Sequence, residues 1–494
     1  MSADIGSPLA RFLDRGRRPA DGPIDWNAAP ERYKRYPEAE RVHLPWAEEG
    51  AEAASIRSLM GALLLELCGI TRLMWIPVLD REGAPRPGEF KVQHGRSAPS
   101  GGALYPLEAY VAVGNPGPGL YHYDPAHHCL ELLRTGDHRG ALAPGAPVPA
   151  VVVLTTRFWR NGFKYGEFGY RLQTQEIGVL AAHGEAIAAR LGTTVDTRLD
   201  FVDESVHALL DVDPRAEAAL AMMFVGDEAA AASTPSYREL IDLAPASALR
   251  RAPTITDRLP AMAALHAASM TPPDDLVTES APYPMESGRA VTLPSVRVSL
   301  DAGIPGRSSP ADGFRPRSID AAQLGGLIGT VADGWAGFGR GSALYCLVAR
   351  VEGIAPGMYR YDPAQHALVE ITVGVDESIR CHPVVGEAAA VLLPVGDFLA
   401  GTDTVGARWY RIVQADAGVV LQRGALAAAA LGLAARIYSG ESPDFTDYFG
   451  GMAGRTALAA LLIGKPRAVS TLDHRIHPVR YPAGKTRAGS DLPE

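Results

Sequence analysis

Residues 96–125, RSAPSGGALYPLEAYVAVGNPGPGLYHYDP, recur in altered form at 339–363, GRGSALYCLVARVEGIAPGMYRYDP. Both stretches carry G-x-A-L-Y, continue as an alternating apolar run and end in G-[LM]-Y-x-Y-D-P. Tyr105 and Tyr345 lie 240 positions apart, as do Tyr170 and Tyr410 at the heads of two long helical patterns. A spacing kept across most of a unit is the mark of a duplicated domain. A chain of 494 residues is also longer than one ordinary core supports, so two related domains in tandem are expected.

Each copy shows the same order of elements. In copy 1 an apolar helical pattern at 55–70 opens on Ser55, and LEAYVAV, LYHY and the continuous run AVVVLTT read as strands. A long helix at 170–191 and a strand at 218–226 close the unit. Copy 2 repeats helix (318–331), hairpin (343–361), strand (388–395), long helix (410–433) and strand (457–464). The turn formers in LDREGAPRPGEFKVQHGRSAPSGG predict loop there. The expected division is an extended arm at 1–50, copy 1 at 51–228, a linker with a helix or two at 229–302, copy 2 at 303–468 and a tail at 469–494 that is disordered past Arg480.

Setting one copy against the other separates what each has kept. Before G-x-A-L-Y, copy 1 has Pro99, Ser100, Gly101 and Gly102, whose small side chains leave backbone N–H groups open to a flat polar ligand. Copy 2 has Gly339, Arg340, Gly341 and Ser342 there. Ahead of its first helix copy 2 has Arg307, Ser308 and Ser309, an anion-binding combination, against Leu44, Pro45 and Trp46 in copy 1. After the last strand, Lys465 and Arg467 stand where copy 1 has Asp227 and Ala229, with Glu228 between them. Ser439 and Gly440 follow the long helix of copy 2 at the place of Leu199 and Asp200, and a glycine there lets a backbone amide approach a ligand.

The last asymmetry favours copy 1. Lys164 and Tyr165 precede Tyr170-Arg171, where copy 2 has Thr404 and Val405 ahead of Tyr410-Arg411. Such a pair supplies a tunable base or acid and a hydrogen-bonding phenol. Anion-binding groups thus collect in copy 2 and proton-transfer groups in copy 1. An interface site of a two-fold dimer leaves this division after fusion and the decay of its twin.

Charge and patterning exclude other classes. A net charge of −9 and a pI near 5.8 provide no overall basic field for nucleic acid or an anionic membrane. Neither a signal peptide nor an apolar run long enough to span a bilayer is read, so a cytoplasmic location is expected. Cys68, Cys129, Cys346 and Cys381 are scattered without C-x-x-C and read as reduced thiols. His122, His127, His128, His474 and His477 are not read as metal ligands.

The run Arg96-x-x-Pro99-Ser100-Gly101-Gly102-Ala103-Leu104-Tyr105-Pro106, followed by Gly119-Leu120-Tyr121-His122-Tyr123-Asp124-Pro125, resembles the flavin-dependent nitroreductase superfamily. Within it the match is to the tandem-fused SagB/McbC-type azoline (thiazole/oxazole) dehydrogenases. The arm, with Trp26 and Tyr33-Lys34-Arg35-Tyr36-Pro37, is similar to the N-terminal segment of the longer members. The resemblance implies an α+β fold: two tandem domains, each an antiparallel-rich sheet flanked by helices, forming a pseudo-dimer within one chain. It also implies one FMN at their interface, with the twin site empty. Carried over by position, Arg307, Ser308, Ser309, Lys465 and Arg467 are expected on the phosphate side. Gly440 is expected to bring its amide toward the isoalloxazine, with Pro99, Ser100 and Gly101 packing from copy 1, and Ser439, Arg96 and Gly102 are expected among the cofactor-binding residues. Lys164 and Tyr165 fall on the catalytic Lys-Tyr pair.

The activity implied is FMN-dependent oxidation of peptide thiazolines or oxazolines to thiazoles or oxazoles in a natural-product pathway. The modified peptide would be presented by a cyclodehydratase or leader-binding partner. Two other readings stay open: an NAD(P)H-using reductase of a small molecule, and a non-catalytic scaffold of a maturation complex. Further homo-oligomerisation is also left open.

Overall fold

The computed structural model describes residues 7–16, 19–20, 22–46, 55–80, 84–114, 117–145, 148–226, 252–270, 287–310, 312–382, 385–439, 455–467 and 472–476. The strands of the first half are β1 (Arg41–His43), β2 (Arg72–Leu79), β3 (Pro85–Gly95), β4 (Leu107–Val113), β5 (Gly119–Asp124), β6 (Cys129–Thr135), β7 (Ala150–Arg157), β8 (Val195–Arg198) and β9 (Glu217–Val225). The second half adds β10 (Ala290–Thr292), β11 (Phe314–Arg315), β12 (Ala343–Val348), β13 (Gly357–Asp362), β14 (Ala367–Val373), β15 (Ala390–Gly396), β16 (Ala434–Tyr438), β17 (Thr456–Ala457), β18 (Ala460–Pro466) and β19 (Leu472–Arg475).

One sheet runs β1-β6-β5-β4-β7-β9-β8 and the other β10-β14-β13-β12-β15-β18-β11, with β16 also on β18. The central five strands correspond one to one, and every pairing within both sheets is antiparallel. The apolar run at β7 is buried at every position, as a central strand covered on both faces requires.

The strand register corrects one equivalence. In copy 1 Tyr110 opposes His122 and Val113 opposes Gly119; in copy 2 Tyr345 opposes Arg360 and Val348 opposes Gly357. Tyr345 is therefore the counterpart of Tyr110, not of Tyr105 as the shared G-x-A-L-Y suggests. The next strand keeps the wider spacing, because Val113 opposes Ala150 where Val348 opposes Ala390. From β4 to β7 copy 2 is thus the longer by five residues. Ahead of β4, copy 1 makes a short 3-10 turn at Gly101–Ala103, with left-handed φ at Gly102 (65°), Ala103 (55°) and Tyr105 (49°). Side-chain-bearing residues held there cost about 1–2 kcal/mol each.

The two long helices, Gly169–Arg190 and Trp409–Ala430, keep the 240-residue offset from end to end. Both are buried on almost every face, which their apolar and small residues allow. They pack on each other, and Tyr170 stacks on Tyr410 with ring centroids 5.9 Å apart and planes 8° from parallel. Buried polar contacts join the copies along this seam: Gln175 donates to Gln414 Oε1 (2.7 Å) and to the Leu458 carbonyl (2.9 Å), and Arg411 pairs with Asp203 (2.8 Å).

Three segments differ from expectation. The Gly- and Pro-rich stretch read as loop contains β3, which pairs with β2 and, being mostly exposed, shows no apolar alternation. Within the stretch taken as tail, β19 returns to pair with β2 of copy 1; residues 477–494 lie outside the described set. The arm is not merely extended. Ser7 caps a helix at Pro8–Arg15, whose Phe12 is buried against Tyr170 and Tyr410. Farther along the arm, Lys34 Nζ reaches Glu217 (2.7 Å) and Tyr110 Oη (2.5 Å) inside copy 1.

Candidate active site between the copies

Beside the helix crossing lies a cavity of about 560 Å³, within the ~300–1,000 Å³ typical of cofactor and small-molecule sites. Copy 1 supplies Pro99, Ser100, Gly101, Gly102 and Tyr165, with Phe168, Leu172, Gln175, Glu176 and Val179 from the long-helix region. Copy 2 supplies Ser309, Leu421, Ile437, Tyr438 and Ser439, and the arm contributes Pro19 and Ala20. Neither copy encloses this space alone.

Hydrogen bonds set the shape of the Pro-Ser-Gly-Gly loop. Ser100 Oγ donates to Glu176 Oε1 and accepts from the Tyr105 backbone N–H, both at 2.9 Å. The Gly101 N–H donates to the same Glu176 oxygen at 2.9 Å. Burial pushes the Glu176 acid up to about 8, against the opposing pull of these two donors and of Arg96.

The loop and the Lys-Tyr pair meet at Gly102. A Cβ there would collide with Tyr165 Oη and come within 3.0 Å of Lys164 Nζ. The helix Trp159–Tyr165 presents both side chains and ends at Gly166 with φ 59°. Lys164 Nζ lies 5.0 Å from the Tyr165 ring and 5.9 Å from the ring of Trp26 on the arm. The arm is tied in by the Ala20 N–H, which donates to the Tyr165 carbonyl at 3.3 Å.

The residues expected on the phosphate side are spread out. Ser309 and Ser439 line the cavity, and Ser308 is half-buried next to Ser309. Arg307 is buried, and its Nε donates to the Ser97 carbonyl at 2.6 Å, bracing the start of the copy-1 loop. Lys465 stands opposite Arg315 in the β18–β11 pairing and is not part of the cavity wall. Arg467 is also outside the wall; it donates to the Phe314 carbonyl (2.7 Å) and pairs with Glu387. Arg96 is buried over the Tyr105 ring, 4.8 Å from its centroid. Gly440 lies outside the described residues.

The sequence reading missed Glu176, although one signal was available. It is a carboxylate in a helix buried on nearly all sides, and its partner at the 240-residue offset is another acid, Asp416.

A second cavity, about 430 Å³, occupies the pseudo-equivalent position. Its wall includes Ile412, Ala415, Asp416 and Val419, the counterparts of Leu172, Gln175, Glu176 and Val179. Here Arg340 donates to Asp416 Oδ1 at 2.5 Å, so a guanidinium stands where Ser100 places a hydroxyl. Leu199 and Asp200 line this cavity where Ser439 lines the other. The two sites have the same frame and different chemistry.

The fold is that of the nitroreductases, present twice in one chain. A crystal structure from Anabaena variabilis of a protein assigned as a nitroreductase matches with a TM-score of 0.75, covering 93% of this chain and 100% of that one at 21% identity. No family model matches the chain. In sequence it is 30% identical over 145 residues to the trifolitoxin-processing protein TfxB of Rhizobium leguminosarum bv. trifolii, 26% of this chain and 39% of that protein. It is 28% identical over 160 residues to the microcin B17-processing protein McbC of Escherichia coli, 29% of this chain and 57% of that protein. A Methanocaldococcus jannaschii protein assigned as a nitroreductase is 30% identical over 127 residues, 24% of this chain and 64% of that protein. The matches span less than two thirds of each of these relatives. They bear out the resemblance to McbC-type, nitroreductase-like proteins. No described helix is long and apolar enough to cross a membrane.

Proposed function

We propose that this chain is an FMN-dependent oxidoreductase that converts peptide thiazolines or oxazolines to the aromatic azoles, using one site between its two copies. The observation that carries the reading is the meeting at Gly102 of the 99–102 loop with Tyr165, which lines a cavity whose other wall comes from copy 2, and with Lys164 just behind Gly102. The similarity to two peptide-processing proteins supports a peptide as substrate.

The residues present fit a flat, polar cofactor. Gly101 and Gly102 leave the loop face without side chains, and Ser309 and Ser439 offer hydroxyls from the other copy. Arg307 and Ser308 would support the phosphate end with Ser309. Lys465, Arg467 and Gly440 are proposed for that end and the isoalloxazine on the resemblance alone. FMN, when bound, supplies the acceptor for the two electrons that leave the azoline as hydride.

Aromatisation removes two hydrogens from the ring, so the second must leave as a proton. Lys164 or Tyr165 takes that proton, and a well-placed base accelerates such a step by about 10²–10⁴-fold. The glycines of the Pro-Ser-Gly-Gly loop leave the reacting face free of side chains, and Pro19 and Ala20 of the arm line the same cavity. Delivery by a cyclodehydratase-type partner follows from the same reading.

Lys164→Ala tests it. The variant should retain FMN and lose azole formation by at least about 10²-fold. Full turnover in the variant would remove Lys164 from the reaction. Rapid bleaching of the bound flavin by NAD(P)H, with no azole product, would favour a reductase of small molecules, a reading to which the similarity with proteins assigned as nitroreductases also lends support.

A further inference from the structure

Glu176 lies in the wall of the 560 Å³ cavity and is buried, yet no cation pairs with it among the described residues. Both of its hydrogen bonds fall on Oε1, from the Ser100 hydroxyl and the Gly101 N–H. No described residue bonds to Oε2. This is the pattern of a neutral acid whose carbonyl oxygen accepts twice and whose hydroxyl oxygen still has a proton to give. The pseudo-equivalent Asp416 is the contrast: its Oδ1 receives Arg340 at 2.5 Å.

We propose that Glu176 is a further ligand-positioning residue of the site: it fixes the 99–102 loop through Oε1 and donates a proton from Oε2 to an acceptor on the flat heterocycle bound in the cavity. The inference rests on the flavin reading above and adds to it a hydrogen-bond donor that neither the loop nor copy 2 provides. Gln175, next to it on the helix, gives its amide nitrogen to copy 2 through Gln414 and the Leu458 carbonyl and keeps only an acceptor oxygen, which leaves Glu176 as the long helix's hydrogen-bond donor on this wall.

The titratable and charged groups around Glu176 act in known directions. Burial favours its neutral form; Arg96, at the base of the loop, favours the carboxylate. Tyr165 from the preceding helix and Tyr438 from copy 2 share the cavity wall, and Lys164 stands behind Gly102. With the acid titrating near 8, the donor is present at neutral pH and is lost as pH rises through that value.

The test is FMN affinity of the full chain, measured by flavin fluorescence from about pH 7 to pH 9.5, for wild type and Glu176→Gln. The glutamine keeps an oxygen for Ser100 and Gly101 and carries an N–H donor at every pH. Wild-type affinity should weaken above pH 8, approaching about ten-fold per pH unit, while the variant stays level apart from changes common to both proteins. Matching pH profiles in the two proteins, or a flat wild-type profile, would overturn the role of Glu176 and leave the flavin reading standing. No FMN uptake by wild type at any pH would overturn both.

Discussion

Gly178 and Gly418 share one crossing point: a Cβ on Gly178 would overlap the Ala415 carbonyl, and a Cβ on Gly418 would overlap the Gln175 carbonyl. Each glycine is 240 residues from the other, and so is each carbonyl, which makes the contact reciprocal in the way an isologous interface is. The axis through this crossing relates the two cavities. Close backbone approach is what permits Gln175 and Glu176 to serve both the seam and the site.

Gly178→Ala or Gly418→Ala should therefore cost more than a helix substitution normally does. Alanine favours helix by roughly 1 kcal/mol over glycine, but the added methyl meets a backbone oxygen that cannot rotate away. Net destabilisation of about 1–3 kcal/mol is expected from overpacking. Thermal unfolding of the two variants would check it, and a rise in midpoint would mean that the helices sit farther apart.

Ser100→Ala removes the donor to Glu176 and the acceptor for the Tyr105 N–H together. An orphaned buried donor costs about 1–3 kcal/mol, and the strained left-handed residues Ala103 and Tyr105 lose a constraint. Weaker FMN binding with little change in far-UV dichroism is expected. Calorimetric titration with FMN gives the comparison.

Gly102→Ala should mimic loss of the pair proposed for proton transfer, Lys164 and Tyr165. Its φ of 65° suits glycine, and the methyl would displace Tyr165 Oη and crowd Lys164 Nζ. Turnover should fall toward that of Lys164→Ala, about 10²-fold or more, in protein that remains folded. A variant with wild-type turnover would separate the loop from the pair.

Acid stability should depend on Glu108. Burial alone would raise its acid, but Arg160 at 3.0 Å, His122 and Arg157 hold it well below the usual carboxylate range. A depressed acid stabilises the fold above its unfolded value near ~4.3 and stops doing so as pH falls through the folded one. Glu108→Gln should be less stable at pH 7, by up to about 3–5 kcal/mol for breaking a buried pair, and should lose less on acidification. Urea midpoints at pH 7 and pH 3.5 would show whether the two curves converge.

Much of the duplication was legible because the long helices are buried at matching positions, so their spacing has not drifted. The loop register was not. Tyr105 and Tyr110 are both followed by strand-like residues, and a shared A-L-Y drew Tyr345 to the wrong one. The β2–β3 hairpin was hidden for a different reason: a mostly exposed strand rich in Gly and Pro shows neither alternation nor an apolar run. The division between loop and Lys-Tyr pair in copy 1 and serines in copy 2 could be read by subtraction. Glu176 could not be found by subtraction, because both copies keep an acid there and its part in the site depends on a loop far away in the chain folding back onto the helix.

We propose that one flavin site, shared by both copies, has survived and that the Arg340–Asp416 pair has changed the chemistry of its twin. The most direct test is the amount of FMN bound per chain at saturation, from the visible spectrum of the protein after removal of free flavin. One FMN per chain is predicted. Two per chain would show that the second cavity still binds, and none would contradict the flavin site altogether.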